Sequence, residues 1–113
     1  MTTGRLTSQV LVSSLIRRAE TAGGFGAVLA KGDATAGAIL LVLAERGQRT
    51  SLLERLLQPD GSYAWQPSGP AAADEADVAA WLARRRRTDP DLWLVELDVA
   101  DAGAFAAAIN EAG

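Results

Sequence analysis

Ala38-Ile39-Leu40-Leu41-Val42-Leu43 is an unbroken apolar run with no polar residue at alternate positions. A strand with one wet face alternates; a strand apolar on both faces must be covered on both. The run therefore marks either the centre of a sheet or a strand at a subunit contact. On its N-terminal side, Phe25 to Lys31 is a second apolar run, separated from Gly37–Glu45 by the turn-forming Gly32-Asp33-Ala34-Thr35. On its C-terminal side, beyond Gly47, Thr50 to Gln58 carries Leu52, Leu53, Leu56 and Leu57, a spacing that also suits a helix. The following Pro59-Asp60-Gly61-Ser62 and Tyr63-Ala64-Trp65 resemble a tight hairpin return, which favours a strand.

Helical periodicity appears further out. From about Ser8 to Ala22, Leu11, Leu15 and Ala19 recur at i, i+4 and i+8, flanked by Val12 and Ile16. Thr7 or Ser8 supplies the N-cap, and Gly23-Gly24 suits a left-handed C-cap. Residues 67–72 read as a loop. From about Asp74 to Arg87, Val78, Trp81, Leu82 and Arg85 share one face, and Asp89-Pro90 ends the helix. Leu92 to Asp98 is a strand with Trp93, Val95 and Leu97 on one side. Asp101 then caps a short helix presenting Phe105 and Ile109. The order predicts an α+β fold: a largely antiparallel sheet of four to five strands with three helices packed on it.

The chain has 113 residues, 49% hydrophobic and 22% charged, and a mass of 11.8 kDa. Such a length buries about 65% of its unfolded surface, enough for one core, so 1–113 is expected as a single domain with a flexible N-terminal tail over 1–6. The net charge of −3 argues against a generic basic nucleic-acid binder. The absence of His and Cys removes Ser-His-Asp and Cys-His catalysis, thiol redox chemistry, disulfides and ordinary zinc sites. No cofactor, metal or catalytic residue is expected. The N-terminus lacks a signal-peptide pattern, and Ala36–Ala44 is about half a membrane span. A cytoplasmic protein of bacterial type, without membrane attachment, is the expectation.

Ser14-Leu15-Ile16-Arg17-Arg18-Ala19-Glu20, Gly24-Phe25, Lys31-Gly32-Asp33, Ala36-Gly37-Ala38-Ile39-Leu40 and Asp89-Pro90-Asp91-Leu92-Trp93-Leu94-Val95-Glu96-Leu97-Asp98 together resemble the bacterial domain-of-unknown-function family 1491. The Asp-Pro-Asp-Leu-Trp block is the most specific part. The resemblance implies a small single-domain α+β protein and carries no activity with it.

Candidate chemistry is sparse. Arg84–Arg87 could bind phosphate, but a helix with Asp74, Glu75 and Asp77 at its start and arginines at its end is what its dipole favours. Arg85, over the apolar face, needs a carboxylate, with Asp89, Asp91 and Glu96 as the candidates for a structural ion pair. Arg17 and Arg18 join Arg84, Arg86 and Arg87 in one basic cluster only if the two helices pack together. Gly23-Gly24-Phe25-Gly26 follows a helix and precedes a strand, the reverse of a phosphate loop. Trp81 and Trp93 belong to the core, whereas Trp65, with Tyr63 beside a Pro/Gly-rich loop, is the tryptophan expected at the surface. A carboxylate-based hydrolase would draw on Glu96 with Asp98, Asp89 with Asp91, or Glu54. The leading expectation is a non-enzymatic module that binds a protein partner or itself, as a homodimer. The alternative is an arginine cluster that binds a nucleotide or RNA.

Overall fold

The computed structural model describes residues 6–71 and 74–111; apart from Leu6, the tail expected at 1–6 lies outside the described residues. In chain order the elements are α1 (Ser8–Thr21), β1 (Phe25–Ala30), β2 (Ile39–Glu45), β3 (Gln48–Leu57), β4 (Tyr63–Pro67), α2 (Glu75–Thr88), β5 (Trp93–Asp98) and α3 (Ala102–Glu111). The five strands form one sheet in the order β1-β5-β2-β3-β4. Every neighbouring pair is antiparallel except β2 and β5, which run parallel, with Ile39 opposite Trp93 and Ala44 opposite Asp98. This is an α+β fold on a mostly antiparallel sheet, and Gln48–Leu57 is a strand despite its leucine spacing.

β2 lies at the centre of that sheet, which accounts for its apolar character on both sides. Ile39, Leu41 and Leu43 face a core shared with Val12, Leu15 and Ala19 of α1 and Phe105 and Ile109 of α3. Leu40 and Val42 face the other way, into a smaller core with Val78 and Leu82 of α2. The chain thus covers both faces of β2 with its own helices, and the alternative of a subunit contact at this strand is not needed.

The helix ends follow from their sequences. Thr7 is the N-cap of α1 and its hydroxyl accepts from the Val10 amide at 3.3 Å. Gly23, at φ 87°, follows the C-cap Ala22. Its amide donates to the Glu20 carbonyl and the Gly24 amide to Ala19, so two of the last carbonyls of α1 are satisfied by a Schellman turn. Asp74 caps α2 through the Asp77 amide, and Asp101 caps α3 through the Ala104 amide. Between β2 and β3, Arg46 and Gly47 both have positive φ, 51° and 82°, the pattern of a type I′ turn. Asp98 closes it, its two carboxylate oxygens accepting from the Arg46 and Gly47 amides at 3.0 and 2.7 Å.

Candidate functional site

Three of the five blocks that carry the family resemblance, Lys31-Gly32-Asp33, Ala36–Leu40 and Asp89–Asp98, meet at one end of the sheet. The Asp91 carbonyl accepts from the Asp33 amide at 3.0 Å. Gly32 and Gly37 both press against that carbonyl, so closely that a Cβ on either would lie 2.1 or 2.2 Å from its oxygen. The Trp93 indole donates to the Asp33 carbonyl at 2.7 Å, and the Asp33 side chain accepts from the Thr35 and Ala36 amides. Arg86 reaches across with its guanidinium, donating to the carbonyls of Pro90 and Lys31. Lys31-Gly32-Asp33, Ala36-Gly37 and Asp89–Trp93 are therefore two interlocked loops tied by these hydrogen bonds, with the Arg86 Nε buried and without a hydrogen-bond partner among the described residues. Their role is to hold the entry of β5 against the exits of β1 and the loop before β2.

The arginines separate rather than converge. α1 packs on one face of the sheet and α2 on the other, so Arg17 and Arg18 are divided from Arg84–Arg87 by the sheet itself, and the single basic cluster does not form. Arg84 and Arg87 are exposed at the end of α2; Arg86 is tied into the loop clasp. Arg85 pairs with Glu54 on β3, a correction to the expected Asp89, Asp91 or Glu96. The two guanidinium nitrogens donate to the two carboxylate oxygens at 2.8 and 2.7 Å. Ser68 adds a hydrogen bond to Glu54 at 3.1 Å, and the guanidinium lies over the Trp81 ring, 5.3 Å from its centroid. The hydrogen bonds from Arg85 hold the Glu54 carboxyl below the usual carboxylate range, against the opposing effect of burial. Asp89 instead accepts from the Asp91 amide. Spacing along α2 reveals that Arg85 needs a partner, but only the sheet register brings β3 beneath it.

Glu96 pairs with Arg49 of β3 at 3.4 Å, and Asp98 is occupied by the β2–β3 turn. Both members of the Glu96–Asp98 pair thus have structural partners, as do Glu54, held by Arg85 and Ser68, and Asp89, which accepts from the Asp91 amide. Among the described residues, no group of three or more acidic side chains is placed to hold a metal ion.

Trp65 is only 7% exposed, which overturns the expectation that it is the surface tryptophan. Alternation along β4 turns it inward with the α1/α3 core, and the α3 residue Asn110 covers its outer edge. The Trp65 amide donates to the Asn110 Oδ1 at 2.7 Å, and the Asn110 Nδ2 donates back to the Trp65 carbonyl at 3.2 Å. A side-chain amide thereby imitates a neighbouring strand and closes the β4 edge of the sheet. Tyr63 is half-buried and supports the Arg55 guanidinium 4.2 Å from its ring centroid. Tyr63, Trp65 and Arg18 do come together, in a cleft between α1 and the β3–β4 hairpin, where Arg55 joins them. Arg55 escaped notice in the sequence, although it alternates with the core residue Leu53 and so had to face the same side.

The opposite edge of the sheet is different. Among the described residues, β1 pairs only with β5. Its sequence, Phe25-Gly26-Ala27-Val28-Leu29-Ala30, contains neither a charge nor a proline. Phe25 is 60% exposed, and Val28 and Leu29 are more than 40% exposed. Proteins ordinarily protect such edges with lysine, proline or a covering segment. Among the described residues, the protective device here is a register shift between Val28 and Ala30, which leaves Phe25–Val28 as a regular edge.

With the geometry in place, comparison with known proteins places the chain. The sequence profile of the family described as "Protein of unknown function (DUF1491)" matches residues 6–107. The chain belongs to the DUF1491 family. It is similar to a DUF1491 family protein from Caulobacter crescentus CB15, known from a crystal structure, at 37% identity and TM-score 0.80, covering 89% of this chain and 94% of that one. An NMR structure of a DUF1491 family protein from the same organism matches at 39% identity and TM-score 0.73, over 91% of this chain and 94% of that one. The solution structure of protein Atu0922 from A. tumefaciens matches at 35% identity and TM-score 0.75, over 91% and 93%. No curated protein matches the chain. Three of the five blocks that carry the resemblance, Lys31–Asp33, Ala36–Leu40 and Asp89–Asp98, meet in the loop clasp, so those three mark how the sheet is locked. Among the described residues, no helix is long and apolar enough to cross a membrane.

Proposed function

We propose that this DUF1491 protein is a non-enzymatic, cytoplasmic bacterial module that works by self-association, with the β1 edge as its contact. The observation that carries this is the asymmetry of the sheet: Asn110 closes the β4 edge, whereas β1 exposes an uncharged apolar edge. Two copies related by a two-fold axis can pair Phe25–Val28 antiparallel, joining two five-stranded sheets into one. Backbone hydrogen bonds would supply register, and Phe25, Val28 and Leu29 would lose exposed apolar surface. A contact this short belongs with interfaces below about 1,200 Å², which are transient, so the dimer is expected to be concentration-dependent.

Light scattering across a dilution series tests it. The expected mass rises from 11.8 kDa towards twice that value as concentration increases. The double variant Val28→Lys/Leu29→Lys should stay monomeric at every concentration while melting within a few degrees of the wild type. A wild-type mass that stays at the monomer value up to millimolar protein would overturn the proposal.

A further inference from the structure

Two adjoining hollows of about 470 Å³ each flank α1, one between α1 and the β3–β4 hairpin and the other between the start of α1 and the Thr35–Ile39 segment. They share Leu6, Leu11, Arg55 and Tyr63, so they form one continuous groove. It follows α1 from Thr7 to Arg18, which is about 16 Å along the helix axis at the usual rise per residue. This is the opposite side of the sheet from the Arg85–Glu54 pair.

The groove has a definite chemistry. Leu6, Leu11, Leu15 and Ile109 give it aliphatic walls, and Ile39 and Ala38 continue them at the far end. Among the described residues that line it, the charged groups are the guanidiniums of Arg18 and Arg55, and none is acidic. That is unusual placement in a chain of net charge −3. Arg18 is half-buried at one end of the groove and has no ion pair among the described residues. A guanidinium offers a carboxylate two parallel donors, a match that a point charge cannot make. A trough that is aliphatic along Leu6 and Leu11, carries the hydroxyls of Thr7, Ser14 and Thr35 along its rim, and ends at such a group fits a chain-shaped molecule with a single anionic head. The size of the two hollows is also within the range of ordinary ligand sites.

From this we infer that the groove binds an acyl carboxylate, with its aliphatic chain along α1 and its head group on Arg18. Arg55, stacked on Tyr63, flanks the middle of the chain. The inference does not depend on pairing through β1, which lies at the other edge of the sheet.

Calorimetric titration with sodium decanoate below its micelle concentration is the test, with decylammonium and decan-1-ol as controls. Decanoate should bind one per chain, and each control more than about tenfold more weakly. Arg18→Glu reverses the charge of a side chain outside the core and should weaken decanoate by about the same factor. Leu11→Trp, which narrows the trough, should also weaken it, provided its circular dichroism matches wild type. The Val28→Lys/Leu29→Lys variant should bind decanoate as the wild type does, which separates this outcome from the fate of the β1 contact. The inference is overturned if decanoate does not bind, if decylammonium binds equally well, or if Arg18→Glu binds with unchanged affinity. Uptake by phosphatidylglycerol vesicles without binding of monomeric decanoate would likewise overturn it.

Discussion

A carboxylate that gains two hydrogen bonds from one guanidinium changes its proton affinity, and Glu54 is the residue where this has consequences. Its side chain is 14% exposed and that of Arg85 29%, so water still reaches the cation. Glu54→Gln should therefore cost about 1–2 kcal/mol at neutral pH, measured by urea unfolding. The carboxyl titrates below its ordinary value of 4.5 in the folded chain. The stabilisation is thus complete above that value and is lost as pH falls through the lower folded pKa. The gap between the wild type and Glu54→Gln should accordingly stay constant above about pH 4.5 and close as pH falls below it; a gap that persists unchanged in acid would contradict the pairing. Glycines give a second contrast. Gly32→Ala drives a Cβ to 2.1 Å from the Asp91 carbonyl and should destabilise by more than about 2 kcal/mol. Gly47→Ala meets no atom within 4 Å but keeps φ at 82°, and should cost only about 1 kcal/mol. The glycine content was visible in the sequence, but the distinction between a crowded glycine and a strained one was not. It depends on Asp91 lying against Gly32, far along the chain.

At the scale of elements, the sequence was most legible where local chemistry decides. Thr7, Gly23 and Asp101 have the cap or turn roles their types predict, because caps satisfy backbone groups within a few residues; Asp74, expected within the first turn of its helix, is the N-cap. The ambiguous Gln48–Leu57 became a strand because it pairs with β2 on one side and β4 on the other, and pairing outweighs a weak helical spacing. Edges were not legible. Nothing in Tyr63-Ala64-Trp65 indicates that Asn110 will satisfy the outer groups of Trp65. Asn110→Ala should strand that amide and carbonyl, costing about 1–2 kcal/mol in thermal or denaturant unfolding. It should also open a second edge, so the variant is expected to form larger species than dimers by light scattering.

Across the whole molecule, stability is expected to fall from the centre of the sheet outward. β2 and β5 are flanked on both sides and buried between helices. Amide exchange should be slowest at Leu40–Leu43, Val95 and Leu97, approaching the global unfolding limit. The outward amides of β1 should exchange fastest among the strands at low protein concentration, and slow as concentration rises if β1 edges pair. By itself the sequence determined most of the elements, the apolar character of Ala38–Leu43 on both faces, and the exclusion of His- and Cys-based chemistry. Those are local or compositional properties: periodicity, cap residues, and the absence of a residue type. Only the tertiary structure decided that Arg85 meets Glu54, that Trp65 is buried, that Arg17 and Arg18 lie across the sheet from Arg84–Arg87, and that β1 rather than the aromatic hairpin is the open edge. Each of these depends on strand order and on which face a helix covers. Those are set by packing among segments distant in the chain, where no local pattern specifies the partner.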